Sequence, residues 1–497
     1  MRKLILSFGL LLFSGALAAQ QAPPQYDLVI EGGRVMDPET GLDGVRNVGI
    51  RDGKIARVTT EELSGRRVAH AAGLVVAPGF IDLHQHGQEI ESQRVKAFDG
   101  VTTALEMEIG APDVAKFLKW KEGRSLIHYG TTASHAAARA LIFGAPLRTE
   151  VGDPRMGIPE ILPKSGPATN QPATPEQIKR IEQRLRDELD AGALGIGMGI
   201  QYTPGATRLE VIDMFHVAAE RKLPVYTHLR SFGRGEPGSA IESVEEVIGA
   251  SAITGASLHI VHINSTCLAD SLECLSMIEG ARARGLDVTT EAYPYIAGMT
   301  EINSALFNPG WRERLGIDYS GLVVPETGEH LTKARFEELH NSSTPQSVLV
   351  FANTQEMVDA VIPNPLIMIA SDGAAGHPRN AGTYSRILAQ YVRDKKTLTL
   401  MEALRKMTLM PAQVLERSTP EGRRKGRMQE GADADVVVFD PQTIGDRSTF
   451  QKPMEPSVGV RYLLVAGTVL IDDGKMVRDV YPGQAVLGPG KSTVKGN

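Results

Sequence analysis

Cysteine is almost absent: of 497 residues only Cys267 and Cys274 carry thiols. Two thiols can form one bridge at most, so neither a disulfide framework nor a Cys-x-x-Cys zinc motif organises this chain. Charge of one sign is lacking too. A net charge of -6 and a pI near 6.1 give no reason to expect nucleic acid or an anionic membrane as a partner. The apolar stretch 4–17, which follows Arg2 and Lys3, is too short for a comfortable membrane span. With Ala16, Ala18 and Ala19 behind it, the stretch has the form of a signal peptide over residues 1–19, cleaved at Ala16-Leu17-Ala18. A periplasmic or secreted mature protein is therefore expected, with no membrane partner once the signal is removed.

What is present is length and alternation. At 497 residues the chain exceeds a single ordinary core, and one large barrel with a smaller satellite is the expectation. From Tyr26 to about Arg57, short apolar stretches alternate with turn residues, Asp52-Gly53 among them, as in a small antiparallel sheet. The same texture returns at 433–440, 462–467 and 472–475. Neither end has strands enough to stand alone, so both are expected to pair into a small β-sandwich with the barrel inserted between them. Eight strand-length apolar runs lie between: 75–84, 101–108, 125–134, 193–200, 224–229, 257–263, 287–295 and 366–372. Helical patterns alternate with them, as at 175–191 and 208–222, so the fold class is α/β, a (β/α)8 TIM barrel. The expected division is a signal at 1–19, sandwich halves at 20–74 and 416–497, and the barrel at 75–415. Two long segments, 144–174 and 298–348, break the rhythm, and both are assigned to the active-site rim.

The run 77–83 ends in His84-Gln85-His86. A period of two puts both imidazoles on one face at a strand end, where they either chelate a cation or hydrogen-bond as a structural pair. Later runs place His228, His262 and Asp372 where barrel strands meet their loops, the address of catalysis in this fold. Four neutral imidazoles could hold one or two divalent cations, zinc being an ion they suit, if an anionic ligand bridges them. The second run offers Glu106 and Glu108 on one face of an apolar strand, where an unpaired carboxylate is expensive. Glu108, nearer the strand's C-terminal end, is the expected bridge; Glu106 is a buried acid paired with an interior donor, unless the two exchange roles. His259 points to the opposite face from His262 in an extended strand and reads as a core residue. His128 and His135 likewise read as structural.

Longer motifs carry a resemblance. Pro78-Gly79-Phe80-Ile81-Asp82-x-His84-x-His86, Gly100-Val101-Thr102-Thr103, Gly192-Ala193-Leu194-Gly195, Tyr293-Pro294-Tyr295, Ser371-Asp372-Gly373, His377-Pro378-Arg379-x-x-Gly382-Thr383 and Ala434-Asp435-Val436-Val437-Val438-Phe439-Asp440-Pro441 stand in this chain. From Tyr26 to about Val477 it resembles the amidohydrolase superfamily and, within it, the N-acyl-D-amino-acid deacylase (D-aminoacylase) family. The resemblance implies that His84, His86, His228, His262 and Asp372 are metal ligands and that Asp372 is also the general base. It further implies that Arg379 grips the substrate carboxylate and that Tyr293 or Tyr295 lines the acyl or carbonyl pocket. Two positions depart from the family. Where a cysteine ends its second strand, this chain has Ile109 with Glu108 beside it, so the bridge would be a carboxylate. Asn264 replaces a lysine two after the sixth-strand histidine, at a substrate-contacting position, and removes a cationic contact.

The expectation is a metal-dependent amidohydrolase that cleaves a linear amide C–N bond in a small-molecule substrate, an N-acyl-D-amino acid or a related small peptide. A cyclic amidase of the dihydroorotase or hydantoinase type is the alternative, weakened because 193–200 holds no lysine to carboxylate into a bridge. A secreted binding protein with a purely structural metal is disfavoured by Asp372 and Arg379 beside a full ligand set. Nothing in the sequence sets an oligomeric state.

Overall fold

The computed structural model describes residues 26–145 and 166–492. The expected signal at 1–19 and most of the expected rim segment at 144–174 lie outside the described residues.

Both chain ends meet in one nine-stranded sheet. Leu28–Asp37 pairs antiparallel with Leu42–Arg51, which pairs with Lys54–Thr59 through the Asp52-Gly53 turn. On its other edge Leu28–Asp37 runs parallel to Val75–Pro78, and that strand carries the pairing on to Val436–Phe439 and Val460–Val465. Ile30, Val48 and Ile55 from the first end share a buried core with Val436, Val438 and Leu464 from the second. Each end thus buries apolar surface that it could not cover alone; the two ends pair as expected, but in one continuous sheet rather than as the two sheets of a sandwich.

Eight strand segments form the barrel between them. They are Phe80–Asp82, Val101–Ala104 continued by Glu106–Ala111, Thr131–Ser134, Ile196–Gly199, Val225–His228, Leu258–Ile260, Val288–Ala292 and Ile367–Ile369. Pairing is parallel throughout. The ring closes where Gln85 bridges Gly373, with the His86 and Gly87 amides donating to the Gly373 carbonyl at 2.8 and 3.0 Å. Gly373 allows that approach, since a Cβ there would lie 2.3 Å from Gln85 Oε1. Helices cover the outside. Pro175–Asp190 opens on a reciprocal cap between Thr174 and Gln177 and buries Ile181, Leu185 and Leu189 at helical spacing against the strands.

Two sequence expectations are corrected here. The run 75–84 is not one barrel strand, because Val75–Pro78 pairs in the end sheet and only Phe80–Asp82 pairs in the barrel. Gly79 makes the change of sheet, and a Cβ on it would come within 2.2 Å of Thr102 Cγ2. The segment 298–348 is not a long loop either. It holds a four-stranded antiparallel sheet, Gly298–Glu301, Leu322–Val324, Glu329–His330 and Ser347–Val350, packed on an aromatic cluster of Phe307, Trp311 and Phe336. Strands of two to four residues separated by turns carry too short a period to be recognised in the sequence. No helix among the described residues is long and apolar enough to cross a membrane.

Candidate metal centre

Glu108, from the second barrel strand, stands at the centre of the C-terminal mouth with its two oxygens facing different ways. Oε2 lies 3.1 Å from His84 Nε2 and 3.2 Å from His86 Nε2. Oε1 lies 2.5 Å from His228 Nδ1 and 3.1 Å from His262 Nε2. Asp372 Oδ1 completes the first side, 3.4 Å from His84 Nε2 and 3.2 Å from His86 Nε2. All six side chains expected to form a ligand set are thus brought together. The imidazole nitrogens also face one another, His84 to His86 at 3.2 Å and His228 to His262 at 3.0 Å.

The backbone bends to achieve this. The sixth strand ends at Ile260, and His262 takes a φ of 30°, while Asp372, just past the eighth strand, takes a φ of 50°. Both lie in the left-handed region that non-glycine residues rarely occupy, a strain of about 1–3 kcal/mol each that the surroundings must offset. His259 is buried, as expected of a core residue, with Nδ1 2.8 Å from Thr289 Oγ1. His259 Nε2 lies 3.0 Å from Glu291 Oε2, and Glu291 Oε1 accepts from His84 Nδ1 at 2.6 Å, so both imidazoles join one polar network.

Each inner ligand is oriented from behind. Glu106 Oε2 accepts from His86 Nδ1 at 2.8 Å, which is the interior pairing expected of the carboxylate that does not bridge. Glu291 does the same for His84. Asp82 lies beneath, accepting from Lys96 Nζ at 2.7 Å and from the Ser371 hydroxyl at 2.6 Å, and so fixes the strand that leads to Asp372. Such partners set the tautomer and direction of a ligating ring. Glu291 was missed in the sequence, although Thr289-Thr290-Glu291 places a carboxylate in an apolar strand just as the second run does.

A cavity of about 430 Å³ opens on the cluster. Arg379 and Tyr293 line it; Tyr295 and Asn264, also expected near the substrate, lie outside its wall. Asn264 follows the left-handed turn of His262 and spends its amide on the Tyr293 carbonyl at 3.0 Å. The Tyr295 hydroxyl donates to the Pro378 carbonyl at 3.4 Å, and its ring lies under Arg386 at 4.7 Å, so it supports the segment carrying Arg379. Arg379 is buried, its Nη1 2.9 Å from Asp372 Oδ2, and its Nε has no hydrogen-bond partner. Tyr202, on the turn after the fourth strand, packs 4.9 Å from the His228 ring and also lines the cavity. No sequence signal marked it.

The electrostatics are those of a site built around positive charge. Burial disfavours the His84 imidazolium, yet Asp372, Glu108 and Glu291 outweigh it and raise the pKa to about 10. Burial opposes ionisation of Glu108 too, but His84 and His228 hold it well below the usual carboxylate range. Asp372 is likewise lowered against burial, by Arg379 first and His84 next. His228 moves down, through burial reinforced by His262 and opposed by Glu108. Ionised carboxylates therefore share a buried space with imidazoles that cannot all be protonated. Three overlapping triads, His84/His86/Glu108, Glu108/His228/His262 and His84/His262/Asp372, each offer donor atoms within 4.8 Å of one another. Nitrogen and carboxylate donors converging in this way fit a divalent cation such as zinc, with Glu108 placed to bridge two.

A family pattern described as amidohydrolase matches residues 161–471. The chain is 32% identical over 476 residues to the N-acyl-D-glutamate deacylase of Alcaligenes xylosoxydans xylosoxydans, an alignment covering 89% of this chain and 93% of that one. It is 28% identical to the D-aminoacylase of the same organism, covering 90% and 95%. The fold is similar to the crystal structure of N-acyl-D-glutamate deacylase from Bordetella bronchiseptica complexed with zinc and a phosphonate inhibitor, with a TM-score of 0.79, 26% identity, and coverage of 94% and 100%.

Proposed function

This chain belongs to the amidohydrolase family, and from that premise we propose that it deacylates N-acyl-D-amino acids, hydrolysing a linear amide C–N bond with the help of a divalent metal. The observation that carries the reading is Glu108, with one oxygen toward His84 and His86 and the other toward His228 and His262, and with Asp372 and Arg379 adjoining in one cavity. His84, His86, Asp372 and one Glu108 oxygen would hold one cation; His228, His262 and the other oxygen would hold a second. A bound cation supplies Lewis acidity, polarising the carbonyl and lowering the pKa of water from 15.7 toward about 7.

The chain's own groups do the rest. Arg379 offers its unpartnered Nε to the substrate's α-carboxylate, which sets the scissile amide over the cluster. Asp372 is ionised at neutral pH and takes a proton from the attacking water as the new C–O bond forms. It returns that proton to the amide nitrogen as the C–N bond breaks, and the products are a carboxylic acid and a free amino acid. A substrate carboxylate on Arg379 also weakens the guanidinium's hold on Asp372, so the base strengthens when substrate is in place. The fourth strand, Ile196–Gly199, carries no lysine, so the carboxylated-lysine bridge of cyclic amidases has no counterpart there. The leader-like residues 1–19 support export to the periplasm or beyond.

The test is a panel of N-acetyl D- and L-amino acids with the zinc-loaded protein and its Asp372→Asn variant. The expected result is turnover of D-amino-acid derivatives by the parent and a loss of about 10³-fold or more in the variant at unchanged metal content. Wild-type rates in the variant would remove Asp372 from its role.

A further inference from the structure

The run His377-Pro378-Arg379 begins with a histidine that the proposed reaction leaves unused. Its side chain is buried and holds two backbone groups. The Arg379 amide donates to Nδ1 at 3.0 Å, and Nε2 faces the Ala297 carbonyl at 3.0 Å. An amide can only donate and a carbonyl can only accept, so the ring is neutral with its proton on Nε2. Burial and the Arg379 guanidinium keep it so, both holding its pKa well below the ordinary imidazole value. The Arg379 amide opens the helix Arg379–Arg386 and has no partner within it, so Nδ1 satisfies a donor that would otherwise be buried and orphaned.

Ala297 directly precedes Gly298–Glu301, the first strand of the inserted sheet. Beside it the Ile296 carbonyl accepts from the Asn353 amide at 3.3 Å, just past the last strand, Ser347–Val350. Phe450 packs against the His377 ring at 5.2 Å and against Phe351, which follows that last strand, at 5.0 Å. One crossing of the chain into the inserted sheet is thus bonded to His377, and the other reaches it through a single ring. Ile296, Gly298, Ala352 and Asn353 from these crossings line the cavity together with Arg379. At its far end Arg379 is held by Asp372 and lies over the Tyr293 ring at 4.7 Å. A shift at the Arg379 backbone swings the guanidinium, and a misplacement of about 1 Å at such a group can cost about 10²-fold. We infer that His377 is a positioning residue: it sets Arg379 against the base of the inserted sheet and so aims the grip on the substrate's α-carboxylate. This rests on the deacylase reading, which gives Arg379 that role.

Two conservative variants separate the bonds. In His377→Asn the side-chain oxygen takes the place of Nδ1 and still accepts from Arg379; in His377→Gln the amide nitrogen takes the place of Nε2 and still donates to Ala297. Each loses one buried hydrogen bond, so a purely structural histidine predicts equal effects. The substrate is the N-acetyl-D-amino acid that the zinc-loaded wild type turns over fastest. The expected KM rises by about tenfold or more in His377→Gln and stays within about threefold of wild type in His377→Asn. The preference for that substrate over its α-carboxamide analogue should fall by a like factor in His377→Gln only, at unchanged metal content. KM does not depend on the folded fraction, so the reading survives a partial loss of stability. His377→Leu, which also lacks the acceptor, replaces His377→Gln if that chain does not fold, with the same expected KM. Equal KM values in the two variants, or a carboxylate preference that neither alters, overturn the inference and leave the deacylase reading intact. A wild type that hydrolyses no N-acetyl-D-amino acid overturns both together.

Discussion

Two buried clusters of histidine and carboxylate occupy opposite ends of the barrel, and similar residue types serve different ends in them. At the N-terminal end His128, ahead of the third strand, donates from Nε2 to Asp435 Oδ1 at 2.9 Å and accepts at Nδ1 from the Gln484 amide at 3.1 Å. Asp435 also accepts from Lys425 Nζ at 2.8 Å and from the Ala466 amide at 2.8 Å. Every donor there meets an acceptor, and the cluster ties barrel to end sheet. At the C-terminal mouth, nitrogen faces nitrogen at 3.2 and 3.0 Å, and a cavity opens beside them. Burial and charge are common to both clusters; surplus lone pairs are not. That surplus, rather than the presence of buried histidines, marks a cation site.

If the contrast is sound, damage at the two ends should separate into lost chemistry and lost stability. The largest effect expected is from Glu108→Gln, which should lower kcat/KM by about 10³-fold and reduce metal content by elemental analysis. Full metal content and activity would erase the distinction. Asp435→Asn should instead cost about 3 kcal/mol in denaturant unfolding, because it removes the nearer of the two carboxylates that pair buried Lys425, Asp433 being the other. Turnover per folded molecule should be retained; a selective loss of kcat would mean that the lower cluster also serves catalysis. Glu106→Gln sharpens the comparison within the mouth. It removes an orienting partner and not a bridge, so metal affinity should fall by about 10–100-fold, measured by chelator competition.

The pH dependence has opposite signs at the two ends. Metal-free His84 keeps its proton up to about pH 10, so proton and cation compete, and metal affinity should rise by up to about tenfold per pH unit below that value. The same raised pKa stabilises the metal-free fold fully below the ordinary imidazole value of 6.5, a contribution lost as pH rises through about 10. Asp435 is held below its ordinary 3.8 against burial, by His128 first and Lys425 next. Its contribution is present above that ordinary value and fades as pH falls below it. Chemical unfolding of metal-free protein across pH should show both limbs, and metal should abolish only the alkaline one.

Much of this was legible in the sequence because the code involved is local. Alternation of two gave the end strands, and apolar runs between helical patterns gave eight barrel strands. His84, His86, His228, His262 and Asp372 were visible because each follows an apolar run at the barrel's functional end. What escaped depended on partners far along the chain. Tyr295 and Asn264 satisfy carbonyls at Pro378 and Tyr293 instead of reaching the cavity. Glu291 is recognisable as part of the site only once His84 lies against it, 207 residues away in sequence.

By itself the sequence determined the barrel's strand count, the residue types able to bind a cation, and the positions where loops present them, since periodicity and strand ends are properties of neighbours. Only the tertiary structure decided that Glu108 faces both imidazole pairs while Glu106 supports one, that His259 joins the site's network, and that Arg379 lies against Asp372 in the cavity wall. Those outcomes depend on which buried polar atoms are left unpaired after the barrel closes, and pairing across hundreds of residues is settled by packing rather than by local pattern.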